Sequence, residues 1–358
     1  MGLDLFSDVA DLTAAVVDIE SVSGGEESLA GAVEEALRAL PHLAVERVGN
    51  NVVARTDLGR AERVVLAGHL DTVPLNGNLP SRVEEDRLYG CGTTDMKSGV
   101  AVALRLAATV AEPTRDITYV FYDCEEVEAE RNGLRHLAAS RPDLLAGDFA
   151  VLMEPTGGLI EGGCQGTMRV EVTATGERAH SARAWMGSNA IHSAGAILDV
   201  LRAYEPSRPI VDGLEYHEGL NAVFISGGVA GNVIPDECVV TVNYRFAPDK
   251  SLADAEAYLR ETFAGFQVTV TDAAPAARPG LTHPAAAAFA SASGAEVRAK
   301  LGWTDVARFA ELGVPAVNYG PGEPTLAHTR DEYVEIPLIG ECEQRMRMWL
   351  EGPITVAP

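Results

Sequence analysis

The period of the apolar residues changes twice along this chain, and those changes limit its possible folds more than any other feature of its 358 residues. Up to Glu154, helical and strand-like segments alternate. Residues 5–19 and 27–40 carry apolar positions at helical spacing, and Ser23-Gly24-Gly25 punctuates the chain before the second. Residues 43–48 and 52–56 flank Gly49-Asn50-Asn51 as a β-hairpin, and residues 63–70 form a mostly apolar run suited to a strand buried on both faces. A helix (97–110), a strand (117–122), a helix (132–140) and a strand (149–153) follow. This alternation specifies an α/β domain with a mixed or parallel sheet.

Beyond Glu154 the texture shifts. Residues 168–175 read Met-Arg-Val-Glu-Val-Thr-Ala-Thr, the two-residue period of a half-exposed antiparallel strand. A helix (189–202), strands at 221–227 and 237–246, a helix (252–263) and a strand (267–271) complete a β-α-β-β-α-β order. That order suits an open-faced, ferredoxin-like sandwich with two helices on one side of four strands. Residues 273–280, rich in Pro, Ala and Gly, read as a linker. Helices at 284–301 and 306–312, a strand at 315–319 and a helix at 337–351 return to the α/β style. The expected architecture is an α/β catalytic domain, residues 1–163 and 275–358, whose mixed sheet is flanked by helices. An α+β domain, residues 164–274, interrupts it.

Composition narrows the function. With 47% hydrophobic and 22% charged residues the chain is an ordinary globular protein. A formal charge of −24, from 28 basic and 52 acidic residues, argues against nucleic acid as a partner, because such binding rests on Lys and Arg neutralising phosphates. Five widely spaced cysteines without a C-x-x-C pair fit reduced thiols in a cytoplasm. Asp4, Asp8 and Asp11 stand where a secretory leader would carry basic residues, so no leader is expected. No apolar run approaches the ~18 residues of a membrane span, so no membrane partner is expected.

Chemistry-bearing residues cluster at strand ends, where open α/β sheets place their sites. The run 64–68 leads into His69-Leu70-Asp71, whose two-residue spacing lets an imidazole bind a metal while the carboxylate holds its other ring nitrogen. A glycine-rich turn, Tyr89-Gly90-Cys91-Gly92-Thr93-Thr94-Asp95, opens a helix with one acid at its mouth and matches neither phosphate-binding loop pattern. Asp123-Cys124-Glu125-Glu126 ends another strand; one of the adjacent glutamates can ligate a metal while the other serves as general base. Glu154 closes a third strand and His328 follows a fourth. Taken singly, His69 fits a hydrogen-bonded core histidine, Asp95 a helix cap, the glutamates solvated turns and His328 an incidental loop histidine. Together His69, Asp95, Glu126, Glu154 and His328 form a two-metal inventory of oxygen and imidazole donors suited to Zn²⁺, Co²⁺ or Mn²⁺.

In this order, H-L-D-T-V-P, Y-G-C-G-T-T-D-M-K-S-G, D-C-E-E-V, M-E-P-T and A-H-T resemble the M20 family of co-catalytic zinc amidohydrolases and peptidases over essentially the whole chain. The resemblance implies a homodimer with two Zn²⁺ per subunit, for which Co²⁺ or Mn²⁺ can substitute. One ion would lie on His69, Asp95 and Glu154 and the other on Asp95, Glu126 and His328, with Asp95 bridging. It makes Glu125 the general base, Asp71 the partner of His69, and His180, in the segment 176–183, the polariser of the scissile carbonyl across the dimer.

Within the family the chain looks most like the succinyl-diaminopimelate desuccinylases, so a small acylated amino acid is the expected substrate. Acetylornithine deacetylase or another M20 aminoacylase or peptidase is the alternative. Asn232 and Arg245, in N-V-I-P and N-Y-R-F, and Gly302 and Thr304, in the stretch 301–309, resemble substrate-contacting residues. One departure stands out: many desuccinylases carry arginine just before the Gly-Thr or Gly-Ser where this chain has Cys164-Gln165-Gly166-Thr167. Arg178 and Arg183 are the candidates to compensate for it.

Overall fold

The computed structural model describes residues 2–352. Residues 1 and 353–358, which the sequence reading includes in the catalytic domain, lie outside the described residues. The chain divides into two compact units. The first runs to Gly162 and takes in Pro279–Arg298 and the residues from Arg308 onward; the second comprises Gly163–Arg278 and Ala299–Ala307.

An eight-stranded mixed sheet forms the first unit's spine, in the order Ala44–Val48, Asn51–Arg55, Asp116–Tyr122, Arg63–His69, Phe149–Leu152, Ala316–Asn318, Ile160–Gly162, Val297–Ala299. Four of these strands, Asp116–Tyr122, Arg63–His69, Phe149–Leu152 and Ala316–Asn318, run parallel. Their carboxyl ends therefore meet on one side of the sheet, and His69, the Glu125-Glu126 pair and Glu154 stand at or just after three of them. Every residue of Asp116–Tyr122 is buried, as a strand covered on both faces requires.

Helix Ser98–Thr109 packs against the sheet through Val100, Leu104 and Leu106. It starts close to the site because residue 99 is glycine: a Cβ there would lie 2.0 Å from the Met153 carbonyl oxygen, just before Glu154. Helices Val9–Val17 and Ile336–Glu351 join the same core, where the Trp349 ring stacks edge-on against Phe289 (4.8 Å) and Phe149 (5.8 Å).

Local readings change within this unit. The helix expected over 284–301 ends at Ser293, where Gly294 takes the left-handed conformation (φ 61°) that terminates helices, and a short strand, Val297–Ala299, joins the sheet edge. Three strands of three residues, Arg82–Glu84, Arg87–Tyr89 and Tyr333–Glu335, form a small sheet too short to leave a periodic trace.

The second unit is a four-stranded antiparallel sheet ordered Gly219–Gly227, Glu237–Phe246, Gly166–Thr175, Gln267–Ala274. Met168, Val170, Val172 and Ala174 point to the buried face, packed with helices Ala190–Arg202 and Leu252–Thr262, while Arg169 and Glu171 face outward. The last strand extends three residues past its expected end at 271, into the stretch read as a linker. Residues 299–307, which the apolar pattern groups with the catalytic part, cluster with this unit.

Candidate metal centre and active site

His69 ends its strand almost completely buried, at 1% exposure. Its Nδ1 lies 3.0 Å from the Asp71 carbonyl oxygen. A carbonyl only accepts, so Nδ1 carries the proton and Nε2 is left to face Asp95 Oδ1 at 3.2 Å. The ring nitrogen is thus held as expected, but by the backbone: the Asp71 carboxylate is 3.6 Å from Nδ1, too far for a hydrogen bond. That carboxylate has another task. Oδ1 accepts the Glu125 N–H (3.0 Å), Oδ2 accepts the Glu126 N–H (3.1 Å), and Ser23 Oγ donates to Oδ2 (2.7 Å). Asp71 therefore fixes the backbone of the glutamate pair.

A second buried carboxylate grips the same loop. Glu26 Oε1 accepts from Cys124 N (3.3 Å) and Gly24 N (2.7 Å). Cys124 sits at φ 55°, a conformation few side-chain-bearing residues adopt, so the turn depends on such anchors.

On the other side, His328 Nε2 stands 2.8 Å from Glu126 Oε1 and 3.5 Å from Asp95 Oδ2. Ligand atoms of His69, Asp95 and Glu154 lie within 4.8 Å of one another, as do those of Asp95, Glu126 and His328, and those of His69, Glu125 and Glu126. Asp95 belongs to both of the first two groups.

The electrostatics follow from crowding carboxylates around two imidazoles. Burial works against a charge on His69, but the Asp95 hydrogen bond and the charges of Asp71, Asp95 and Glu125 hold its pKa well above the ordinary histidine value. Hydrogen bonds to Asp95 and then Glu126 lift His328 to about 10. Burial alone would raise the Asp95 pKa; bonds to His328 and His69 overcome it and depress it. A site this negative favours a cation, and the donor set of carboxylate oxygen and imidazole nitrogen without thiolate fits a borderline divalent metal.

In the second unit, Ala179–His180 pairs with Val233–Ile234, and Ser181 N donates to the Asn232 carbonyl (2.9 Å), which brings His180 and Asn232 together. His180 is exposed, and its Nδ1 accepts from Ala182 N at 3.0 Å, so the ring proton resides on Nε2. Arg178 is engaged with Asp236 at 2.7 Å, and the exposed Arg183 makes no ion pair among the described residues. Arg245 Nε donates to Asn243 Oδ1 (3.2 Å), whose amide donates to Thr167 Oγ1 (3.1 Å). Burial, then the neighbouring Arg169, lowers the Arg245 pKa, and Arg245 makes no ion pair among the described residues. Gly302 and Thr304 lie against the departing segment: Gln165 N donates to the Gly302 carbonyl (3.2 Å), and Cys164 Sγ lies 3.6 Å from the Thr304 carbonyl. Gln165 itself is buried and donates its side-chain amide to the His217 carbonyl.

Sequence reasoning did not find Glu332, which is 2% exposed and accepts backbone N–H bonds from Gly92, Thr94 and Asp95. It also did not find the roles of Ser23 and Glu26. No local signal marks these residues, because each acts on a segment at least 48 positions away.

The profile of Peptidase family M20/M25/M40 matches residues 65–351. A Mycobacterium tuberculosis protein, named provisionally as a succinyl-diaminopimelate desuccinylase, is 57% identical over 98% of this chain and 100% of its own length. The Corynebacterium glutamicum succinyl-diaminopimelate desuccinylase is 48% identical over 98% of each chain. Among solved structures, a Staphylococcus aureus tripeptidase superposes with a TM-score of 0.78 at 20% identity, covering 97% of this chain and 99% of that one, which establishes the shared fold. With that profile match and those two near-full-length relatives, the chain belongs to Peptidase family M20/M25/M40.

Proposed function

We propose that this chain hydrolyses N-succinyl-L,L-2,6-diaminopimelate to L,L-diaminopimelate and succinate, a step of diaminopimelate and lysine biosynthesis. The observation that carries this reading is 48% identity to the Corynebacterium glutamicum desuccinylase across nearly the whole of both chains. The enzyme is a metal-dependent hydrolase of linear amides.

In this reading two divalent ions bind, Zn²⁺ or in its place Co²⁺ or Mn²⁺. His69, Asp95 and Glu154 would hold one, and Asp95, Glu126 and His328 would hold the other; the grouping of these donors supports it. Bound there, such ions lower the pKa of water toward neutrality and polarise an amide carbonyl. Glu125, its backbone held by Asp71, takes a proton from the attacking water and returns it to the leaving nitrogen as the C–N bond breaks. His180 Nε2–H donates to the carbonyl oxygen as charge develops on it. Arg245 receives a substrate carboxylate, a role supported by its half-buried guanidinium, which makes no ion pair among the described residues although the charge of Asp272 acts on it. Asn232, Gly302 and Thr304 line the acyl and amino-acid ends. Arg178, engaged by Asp236, is a weaker candidate than Arg183 for the anion role vacated at Gln165.

The reading includes a cytoplasmic homodimer in which His180 serves the partner's site. Five buried free cysteines suit a reducing compartment, and no described helix is long and apolar enough to cross a membrane. Strand Gly219–Gly227 is a sheet edge with exposed Val223, Phe224 and Ile225, and the adjacent helix exposes Ile191 and Leu198. Pairing this edge with its own copy about a two-fold axis would cover both faces. Light scattering tests it: Phe224→Asp is expected to yield a monomer with little activity, and a fully active monomer refutes the trans role.

A substrate panel tests the reaction. The purified zinc enzyme is expected to cleave N-succinyl-L,L-diaminopimelate with a kcat/KM far above that for N-acetylornithine or di- and tripeptides. Preference for any of the latter overturns the proposal.

A further inference from the structure

We propose that Glu332 is a positioning residue for the metal centre, clamping the segment that carries His328 onto the turn that carries Asp95. This inference rests on the metal reading above.

Asp95 lies in an irregular turn, Thr93–Lys97, where its own backbone (φ −117°, ψ 98°) is not helical. The N–H groups of Gly92, Thr94 and Asp95 therefore lack helical acceptors, and they converge on one point, as in an anion-binding nest. The Glu332 carboxylate occupies that point: Oε2 accepts from Gly92 (3.1 Å), and Oε1 accepts from Thr94 (2.8 Å) and Asp95 (3.0 Å). Burial drives the Glu332 pKa up to about 7 even though these three bonds oppose it.

The grip extends along the backbone. Gly90 N donates to the Glu332 carbonyl (3.2 Å), and Thr94 Oγ1 donates to the Tyr333 carbonyl (2.6 Å). Gly322, at φ 93°, passes so close that a Cβ would meet Thr94 backbone atoms at 3.1 Å. Four residues before Glu332, His328 holds the left-handed conformation (φ 63°) that turns its ring toward Asp95 and Glu126. Asp95 is thus bonded through its backbone to a buried carboxylate that lies only four residues along the chain from His328. A change at Glu332 alters the spacing of two ligands without touching either side chain.

The test is titration of the metal-free protein with Zn²⁺ alone, followed by calorimetry, with melting temperature and kcat/KM measured in parallel. Glu332→Gln keeps the shape but removes the charge and turns an NH₂ toward the amide donors; about 10- to 100-fold weaker Zn²⁺ binding is expected, with kcat/KM falling in step. Glu332→Asp keeps the charge at a shorter reach and is expected to lose affinity in the same direction, by less. A control, Leu37→Ala in the buried face of helix Glu27–Arg38, lowers the melting temperature and leaves affinity unchanged. Zn²⁺ affinity within about twofold of wild type in folded Glu332→Gln overturns the proposal, since outer partners of metal ligands normally cost far more. Should that variant not fold, unchanged affinity in Glu332→Asp overturns it equally. Wild-type protein that binds no Zn²⁺ defeats the metal reading itself, whereas tight binding unaltered by either variant defeats only the role of Glu332.

Discussion

His69 and His180 belong to different units and live under opposite physical conditions. His69 is buried, its tautomer set by the Asp71 carbonyl, and its ring nitrogen aimed at Asp95. His180 is exposed, and its ring Nδ1 accepts from Ala182 N, which leaves the Nε2–H to donate. The first unit therefore holds a candidate site whose loops are tied down by Asp71, Glu26 and Glu332. The second unit presents donors and cations whose partners, in the proposed reaction, arrive with substrate and a second subunit. Preorganisation belongs where charge must be confined, and exposure where a ligand has to enter.

Metal removal strikes the assembled site hardest. Dialysis against a chelator is expected to abolish activity and lower the melting temperature, in line with about 4 kcal/mol of linkage when free metal exceeds its Kd a thousandfold. Full activity in chelated protein, checked by elemental analysis, breaks the comparison at once. Glu125→Ala comes next: its metal content should match wild type while kcat falls by about 10²–10⁴-fold, the usual worth of a general base. Normal turnover in the metallated variant removes Glu125 from the mechanism.

Exposed residues should matter through substrate rather than through metal. His180→Ala is expected to lower kcat by about 10²–10³-fold with Zn²⁺ affinity unchanged, as for loss of one oxyanion donor. If Zn²⁺ affinity drops instead, the division between the two units is wrong. Arg245→Met should raise KM for the succinylated substrate about 10- to 100-fold through a lost charged hydrogen bond, with kcat less affected. An equal effect on an uncharged acyl substrate would argue for a structural role. The smallest effect is local: Asn189 caps helix Ala190–Arg202 by accepting from Ile191 N and His192 N, so Asn189→Ala should cost about 1 kcal/mol in urea unfolding and leave kcat/KM near wild type.

Much of this was legible in the residues. Apolar runs located the parallel strands, and acids or histidines after Leu66-Ala67-Gly68, Tyr122, Met153 and Asn318 marked the edge where the site assembles. Alternation in Met168 to Thr175 identified the open-faced sheet, and its buried face is the one the pattern implies. Most elements of three residues escaped, Ala316–Asn318 being the exception, because a period needs more than one repeat to be seen. The strand Val297–Ala299 was absorbed into a helix by the alanine-rich stretch before it, although Gly294 marked the stop. Asp71 illustrates the limit best. Its spacing from His69 suggests a carboxylate-imidazole partnership, yet in the structure the carbonyl contacts His69 while the carboxylate reaches the Glu125-Glu126 amides 54 and 55 positions away.

Sequence alone determined which donors are available and, through periodicity, at which strand ends they stand, since both follow from local backbone geometry. Only the tertiary structure decided how they are aimed: Asp95 shared between two groups, the glutamate pair hung on Asp71, and the Asp95 turn held by Glu332 from across the chain. The physical reason is that unpaired backbone N–H groups in irregular turns must find acceptors wherever packing brings them, and no local pattern records which distant carboxylate that will be.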